Sequence, residues 1–376
     1  MVHKKGFVYV WPLSARIIHW TIALSFIISF ATAFYHNYFT LHLAFGYLFA
    51  LSLFFRLVWG FIGPNYAIFT TFTLSFHALK SYFVEKMRNR WRTIHAGHNA
   101  ASSWFTLIVL GMGLSIAFSG VVLLGLQEKS GPLHFLNHDF FHASLLWESV
   151  HRYLSFILLA WVIIHIVGVL IEHFYHKTKM VFAMISGYKP CQGEDAKVSG
   201  FQHFLTYSAI VVHTAVFVFL LYSDQESFLT RSHFASHDYA QENPLYATAC
   251  TKCHKSYPPF MLPHASWIKM IDGLENHFGE EITDKNISRT DKESIKNYLI
   301  SNSAEFSTHK LAFKTLDSLG EIRPLSITKS LYWREAHAHL PTTLFKNPLV
   351  KDRSNCFACH KSFEQGLFDN RLIILP

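Results

Sequence analysis

The 376-residue chain predicts an all-α protein in two parts, a membrane helical bundle followed by a mostly α-helical polar domain. Three observations carry that prediction. The first 223 residues contain five apolar runs, at roughly 17–36, 41–62, 100–126, 147–172 and 201–222, each reaching or exceeding the ~20 residues that a helix needs to cross a bilayer. From residue 224 onward the composition is that of an ordinary globular domain, with 18 Lys/Arg against 18 Asp/Glu. Hydrophobic residues make up 51% and charged residues 15% of the whole, a membrane profile diluted by something soluble.

The runs are assigned as helices because only helices and closed barrels satisfy the backbone in lipid. The first is too long for a cleavable leader, and no small-residue cleavage site follows it. Lys4, Lys5 and Arg16 precede or open it. Lys80, Lys86, Arg88, Arg90 and Arg92 follow the second run, and Lys177, Lys179, Lys189 and Lys197 follow the fourth. On the other side the short loops hold only Lys129. The bias puts the N-terminus in the cytoplasm, and five crossings then put the polar domain on the outer face. The expected divisions are 1–223 for the membrane domain, 224–245 for a linker and 246–376 for the outer domain. The excess of positive charge, 15 Lys/Arg against 7 Asp/Glu, lies in the membrane domain, where topology explains it; a nucleic-acid partner is excluded.

Four of the five cysteines fall in two identical frames, "CTKCH" (Cys250, Cys253, His254) and "CFACH" (Cys356, Cys359, His360). Cys-x-x-Cys-His is the attachment signature of c-type haem, with two thioethers and a proximal His ligand. That attachment takes place outside the bacterial inner membrane, in agreement with the charge bias. A zinc site of four thiolates, or of two thiolates and two imidazoles, is the main alternative. A redox disulfide leaves both histidines unexplained. The fifth cysteine, Cys191, reads as structural or incidental. A low-spin haem needs a second axial ligand; His264, His277, His309, His337, His339, Met261 and Met270 are candidates, and spacing does not choose among them.

The run from "CTKCHKSYPPFMLPHASWIKMIDGLENHFGEE" through "YWREAHAHLP" to "SNCFACHKSFEQGLFDNRLIILP" resembles the bacterial dihaem cytochrome c family across nearly all of 246–376. The resemblance implies two covalently attached haem c groups, each with two His ligands. The second ligands would be His277 and His337, with His339 a rival to His337.

Ionisable residues within spans default to a functional reading. His151 and His165 both lie in the fourth run. Fourteen residues at about 100° each return to within roughly 40°, so the two rings share a helix face, and about 21 Å of rise separates them. His42 sits near the outer end of the second run and His19 near the inner end of the first. Depth therefore pairs His42 with His151 and His19 with His165, as two stacked b-type haems in a four-helix bundle would require. The pieces "VYVWPLSARIIHW", "HLAFGYLFALSLFFRLVWGFIGP", "GHNAASSWF" and "HRYLSFILLAWVIIHIVGVLIEHF" resemble the bacterial cytochrome b(561) family, related to the b-type subunits of nickel–iron hydrogenases. That resemblance implies two haem b groups on the same four histidines. The bundle is thus expected to have four haem-binding helices plus a fifth span.

Weaker features have blander readings. His213 in the fifth run is expected to be structural. Arg16 and Arg56 suit haem propionates or simple interfacial anchoring. His98 suits a propionate or quinone, or interfacial snorkelling. His134, His138 and His142, at i, i+4 and i+8, suit a metal or, preferably, a solvated face. His233 and His237 read as spacer.

The expected function is transmembrane electron transfer through the two b and two c haems, linking the quinone pool to a periplasmic redox partner from the inner membrane. Quinone is a candidate ligand, and a quinol:cytochrome type of oxidoreductase is the corresponding enzyme class. The second hypothesis is a haem-bearing anchor or electron-transfer subunit of a separate dehydrogenase; the third is a haem-based redox or gas sensor.

Overall fold

The computed structural model describes residues 6–35, 38–88, 96–222, 227–282, 287–320 and 323–376. Lys4, Lys5, Arg90 and Arg92, counted above toward orientation, lie outside the described residues, as does the expected linker boundary at 223/224.

The helices are α1 (Leu13–Thr32), α2 (Phe39–Ile62), α3 (Phe76–Met87), α4 (Ala100–Glu128), α5 (Leu136–Phe140), α6 (Ser144–Leu170), α7 (Met180–Ser186), α8 (Gly200–Tyr222), α9 (Tyr239–Glu242), α10 (Pro244–Cys250), α11 (His264–Asp272), α12 (Arg289–Ser301), α13 (Lys310–Leu319) and α14 (Leu331–Ala336). Five of them, α1, α2, α4, α6 and α8, are long and apolar enough to cross a membrane. The all-α class holds, with one addition: Val8–Tyr9 (β1) and Tyr188–Lys189 (β2) form a two-residue antiparallel ribbon.

The first span begins four residues earlier than the hydropathy run suggested and ends at Thr32. Pro12 sets that start: its ring disfavours helix in the residue before it, while its own φ of −58° leads directly into the first turn. Inside the spans, hydroxyls bond the carbonyl four residues back: Thr32 to Ile28 at 2.8 Å, Ser52 to Leu48 at 2.7 Å, Thr106 to Ser102 at 2.8 Å and Ser155 to His151 at 2.7 Å. Such back-bonding satisfies a polar side chain where no water is at hand.

The chain folds as two compact units. One comprises α1 to α3, α4 as far as Gly120, and most of α6 with α7 and α8; the other gathers Val121–Leu145 with α9 to α14. In the first unit Phe26, Phe49, Leu53, Leu110, Ile116 and Leu158 form a core drawn from α1, α2, α4 and α6. The fifth span, α8, lies outside that core: Leu205 packs with Ile18 and Trp59, and Phe217 with Phe45 at 4.8 Å. Outward-facing Ile163, Ile164, Val167 and Val211 leave an apolar surface suited to lipid. Lys189, counted above toward orientation, is buried, its ammonium 3.3 Å from the Ala96 carbonyl. Lys86 is ion-paired with Glu172.

The second unit has its own core of Tyr239, Tyr246, Met261, Trp267, Ile295, Leu299, Trp333 and Phe363. Residues 227–245 contain α9 and the start of α10, and His237 donates its backbone N–H to the Gln365 carbonyl at 2.9 Å. His233 stacks on His134 at 3.7 Å, and His237 Nδ1 lies 2.7 Å from Glu242. These two histidines are thus tied into the unit; they are not spacer.

Candidate functional site

Four imidazole pairs recur with nearly one separation. In the first unit the ring centres of His19 (α1) and His165 (α6) are 6.4 Å apart, and those of His42 (α2) and His151 (α6) are 6.3 Å apart. In the second unit His254 and His277 are 6.2 Å apart, and His337 and His360 are 6.3 Å apart. Two imidazole–metal bonds of about 2.0 Å, each extended by about 1.15 Å from nitrogen to ring centre, put opposed ring centres about 6.3 Å apart. Aromatic packing tolerates a range of about 4.5–7 Å, so one such pair would say little. Four pairs within 0.2 Å of one another, on the histidines that the motifs and depths single out, fit a metal held between each two rings.

On four of the eight rings the nitrogen on the far side supports the same fit, whereas His19 Nδ1 is buried with no hydrogen-bond partner among the described residues. His42 Nδ1 donates to the Ser29 carbonyl at 2.9 Å. His151 Nδ1 is shared between the Ile116 carbonyl at 3.1 Å and Ser119 Oγ at 2.9 Å. His254 Nδ1 donates to the Lys255 carbonyl at 2.8 Å, and His337 Nδ1 to the Trp333 carbonyl at 2.8 Å. A proton fixed on Nδ1 leaves Nε2 as the ligating atom and orients the ring. Gly120 makes room for the His151 ring: a Cβ there would meet Cε1 at 3.2 Å.

Local structure presents the outer-domain residues. Asn243 caps α10, which delivers Cys250 at its last turn, and the first motif closes in the turn that follows. His277 sits on a tight hairpin in which its N–H and carbonyl pair with Glu280. Gly279 there has φ +100°, a conformation that side chains rarely adopt. Tyr257 explains the Tyr-Pro-Pro element: its carbonyl accepts from Tyr246 Oη at 2.6 Å and its hydroxyl donates to the Ser354 carbonyl at 3.0 Å, joining the two motifs. Burial raises the thiols of Cys250 to about 11 and Cys356 to about 12, and lowers His277 and His337, so these imidazoles stay neutral, the form that binds metal.

Other candidates go elsewhere. His264 is engaged by Glu305 at 2.7 Å. Met261 belongs to the core and Met270 packs against it. His309 is sandwiched between Phe234 at 3.7 Å and Phe260 at 4.6 Å, and burial lowers it to about 3. His337 has its ring opposite His360; His339 lies two residues beyond and lines the same cavity. No group of three or more His, Cys, Asp and Glu gathers to hold a metal ion among the described residues, so neither zinc arrangement forms. The same holds for His134, His138 and His142, because α5 spans only five residues and the three do not share one helix.

In the membrane unit Arg16 Nε and Arg56 Nη1 are buried without hydrogen-bond partners among the described residues. His98 does not snorkel: it is packed against Trp11 and Phe72, with Nδ1 3.2 Å from the Tyr66 carbonyl. His213 bonds the Ala209 carbonyl at 2.7 Å through Nδ1. The Nδ1 partners have no signature in the sequence: Ser29 and Ser119 carry no motif that flags them.

Comparison with known proteins gives two family matches. Residues 10–187 match prokaryotic cytochrome b561, and residues 246–368 match dihaem cytochrome c. No curated protein matches the chain. Among solved structures, the dihaem cytochrome c purified from Rhodobacter sphaeroides is 32% identical over 33% of this chain and 96% of that one, with a TM-score of 0.26. A second structure of a dihaem cytochrome c from that organism is 33% identical over 33% and 95%, with a TM-score of 0.29. A dihaem cytochrome c from Shewanella baltica OS155 is 26% identical over 36% and 94%, with a TM-score of 0.29.

Proposed function

From a chain in which a prokaryotic cytochrome b561 membrane domain precedes a dihaem cytochrome c domain, a haem-based electron-transfer protein, we infer a transmembrane carrier that links the quinone pool to a periplasmic redox partner. Two haem b groups would be held by His42 with His151 and by His19 with His165. Two haem c groups would be attached through Cys250 and Cys253, with His254 and His277 as ligands, and through Cys356 and Cys359, with His360 and His337. The common separation of the four imidazole pairs is the observation that carries this reading.

Bound haem supplies one-electron chemistry; the protein contributes position, ligand basicity and burial. Nδ1 donation to carbonyls makes His42, His151, His254 and His337 stronger donors and stiffens their rings. The unpartnered guanidinium atoms of Arg16 and Arg56 suit propionate carboxylates at the inner level. The apolar bundle core excludes water around the membrane histidines. The positive-inside bias supports a cytoplasmic N-terminus in a bacterial inner membrane and a periplasmic outer domain, where an electron carrier or dehydrogenase would dock. The proposed divisions are a membrane domain over residues 1–223 and an outer domain over 246–376, the segment 224–245 between them being a linker whose described part, with Tyr239, packs into the core of the second unit.

The test is reduction by quinol. Membranes containing the holoprotein are mixed with decylubiquinol and the b and c α-bands are followed. Both bands are expected to appear. If quinol reduces neither while dithionite reduces both, the link to the quinone pool is wrong.

A further inference from the structure

The helix α3 (Phe76–Met87) is too short to cross a bilayer, yet both its ends are fastened to helices long and apolar enough to do so. At its start Phe76 packs on Trp104 of α4, with ring centres 4.8 Å apart. Toward its end Lys86 is ion-paired with Glu172, and Tyr82 donates its hydroxyl to the same carboxylate at 3.3 Å. Trp104 lies four residues after the start of α4. Glu172 lies in the π turn Ile171–Tyr175 that continues α6, three residues before its end. Phe105 stacks on His165 at 4.5 Å, so the start of α4 and the end of α6 lie side by side. Both anchors are therefore about one turn inside the same end of the bundle. A helix held at both ends at one depth runs along the membrane surface, at the end proposed above to face the cytoplasm.

The circumference of α3 divides in three at about 100° per residue. Ala78, Leu79, Tyr82 and Lys86 share one arc, and all four are partly buried. Phe76, Phe83, Val84 and Met87 share a second arc; Phe76, Phe83 and Met87 are 74%, 54% and 88% exposed. His77, Ser81, Glu85 and Arg88 follow one another in the third. An outward apolar arc beside a polar one, on a helix lying flat, is the pattern of a segment buried to its apolar face in the headgroup layer. Lys80 falls near the centre of the apolar arc and is exposed. Its long stem lies along acyl chains while the ammonium reaches the phosphate level. Arg88, also exposed, caps the C-terminal end. Glu85 is the single carboxylate of α3, so the outward side is positive.

We propose that α3 is an interfacial helix that binds an anionic phospholipid, with Phe76, Phe83 and Met87 among its acyl chains and Lys80 and Arg88 at its headgroup phosphate. A soluble anion would meet the two cations and leave the apolar arc in water. A zwitterionic lipid would cover the arc but bring an ammonium of its own toward Lys80 and Arg88. A second copy packed through the same face would set two positive arcs against each other. The proposal does not depend on what donates or accepts the electrons.

The purified full-length holoprotein, delipidated in detergent, is titrated with palmitoyl-oleoyl phosphatidylglycerol and, separately, with the phosphatidylcholine of the same chains, and bound lipid is counted by native mass spectrometry. Each basic side chain near an anionic lipid surface contributes about fivefold in affinity, so wild type is expected to bind the first phosphatidylglycerol about 25-fold more tightly than phosphatidylcholine. Lys80→Gln and Arg88→Gln should each lose about fivefold of that preference, the double variant all of it, and Lys80→Arg none. All are expected to keep wild-type dithionite-reduced spectra, because both side chains point away from the bundle. Hydrogen exchange locates the site: phosphatidylglycerol should slow exchange across residues 76–88 in wild type and leave it unchanged in the double variant. Equal affinity for the two lipids, an undiminished preference in the double variant, or protection confined to other segments overturns the proposal. Displacement of the lipid by an equal concentration of inorganic phosphate overturns it in favour of a plain anion site. A lipid-free dimer that phosphatidylglycerol does not dissociate overturns it in favour of a second copy on this face.

Discussion

Replacing Ser119 with alanine tests whether the His151 ring is tuned as a metal ligand. Ser119 Oγ lies 2.9 Å from His151 Nδ1 and donates its own proton to the Ile116 carbonyl at 2.9 Å, so it is free to accept from the ring. The Ile116 carbonyl, 3.1 Å from the same Nδ1, remains in the variant. One of two acceptors is removed, and no cavity larger than a hydroxyl opens at a residue that is 1% exposed. A neutral hydrogen bond has a net worth of about 1 kcal/mol. Acceptors on Nδ1 make the imidazole a stronger donor and favour the oxidised metal, so losing one raises the reduction potential. If the whole bond were specific to the oxidised state the shift would be about 40 mV, since a tenfold change in a one-electron equilibrium is about 59 mV. With the carbonyl taking up some of the load, about 10–40 mV is expected. The assay is a potentiometric titration of the purified holoprotein followed at the b bands. One b component should move upward, and the other should stay within error, because His19 and His165 share no partner with Ser119. A downward shift, no shift, or an equal shift of both components would refute the argument that His151 is an iron ligand tuned through Nδ1.

Three further outcomes are expected. His337→Leu should convert one of the haem signals from low-spin to high-spin in the electron paramagnetic resonance spectrum, while His339→Leu should leave all of them low-spin; the reverse would exchange the two ligands. His309 is 8% exposed and its folded-state pKa is depressed from 6.5 to about 3, so the unfolded chain takes up its proton first as pH falls. The stability contributed by the neutral ring is full above pH 6.5 and should decline below it by about 1.4 kcal/mol per pH unit down to about pH 3, a slope that His309→Phe should remove in thermal unfolding of the outer domain. Leu158→Ala, at a side chain 1% exposed in the membrane core, should cost about 2–5 kcal/mol and lower the temperature at which the b bands are lost, with the c bands unaffected.

Much of the membrane unit was legible because its governing constraints are local. Apolar length marks the spans, and helical arithmetic alone puts His151 and His165 on one face of α6 at two depths. The first span was misplaced by four residues because hydropathy does not register the start that Pro12 imposes. The i, i+4, i+8 spacing of the outer-loop histidines presumes a continuous helix, but α5 ends at Phe140, so the metal alternative to their preferred solvated face does not form among the described residues. His98 and Lys189 are both packed by residues far along the chain, a contact that neither the snorkelling expected of His98 nor the loop charge counted at Lys189 reveals.

The sequence by itself determined the two modules, the five apolar helices and the two Cys-x-x-Cys-His frames, since bilayer thickness and covalent attachment act on contiguous residues. Residue spacing left open which histidine stands opposite His254 and His360, only the family resemblance pointed to His277 and His337, and tertiary structure brings those rings together. His277 lies on an irregular hairpin and His337 just past a short helix, and no periodicity carries a side chain across such segments. Tertiary structure also decided the carbonyls behind the His42 and His151 rings. Those juxtapositions join separate elements of the chain, and only tertiary packing brings them together.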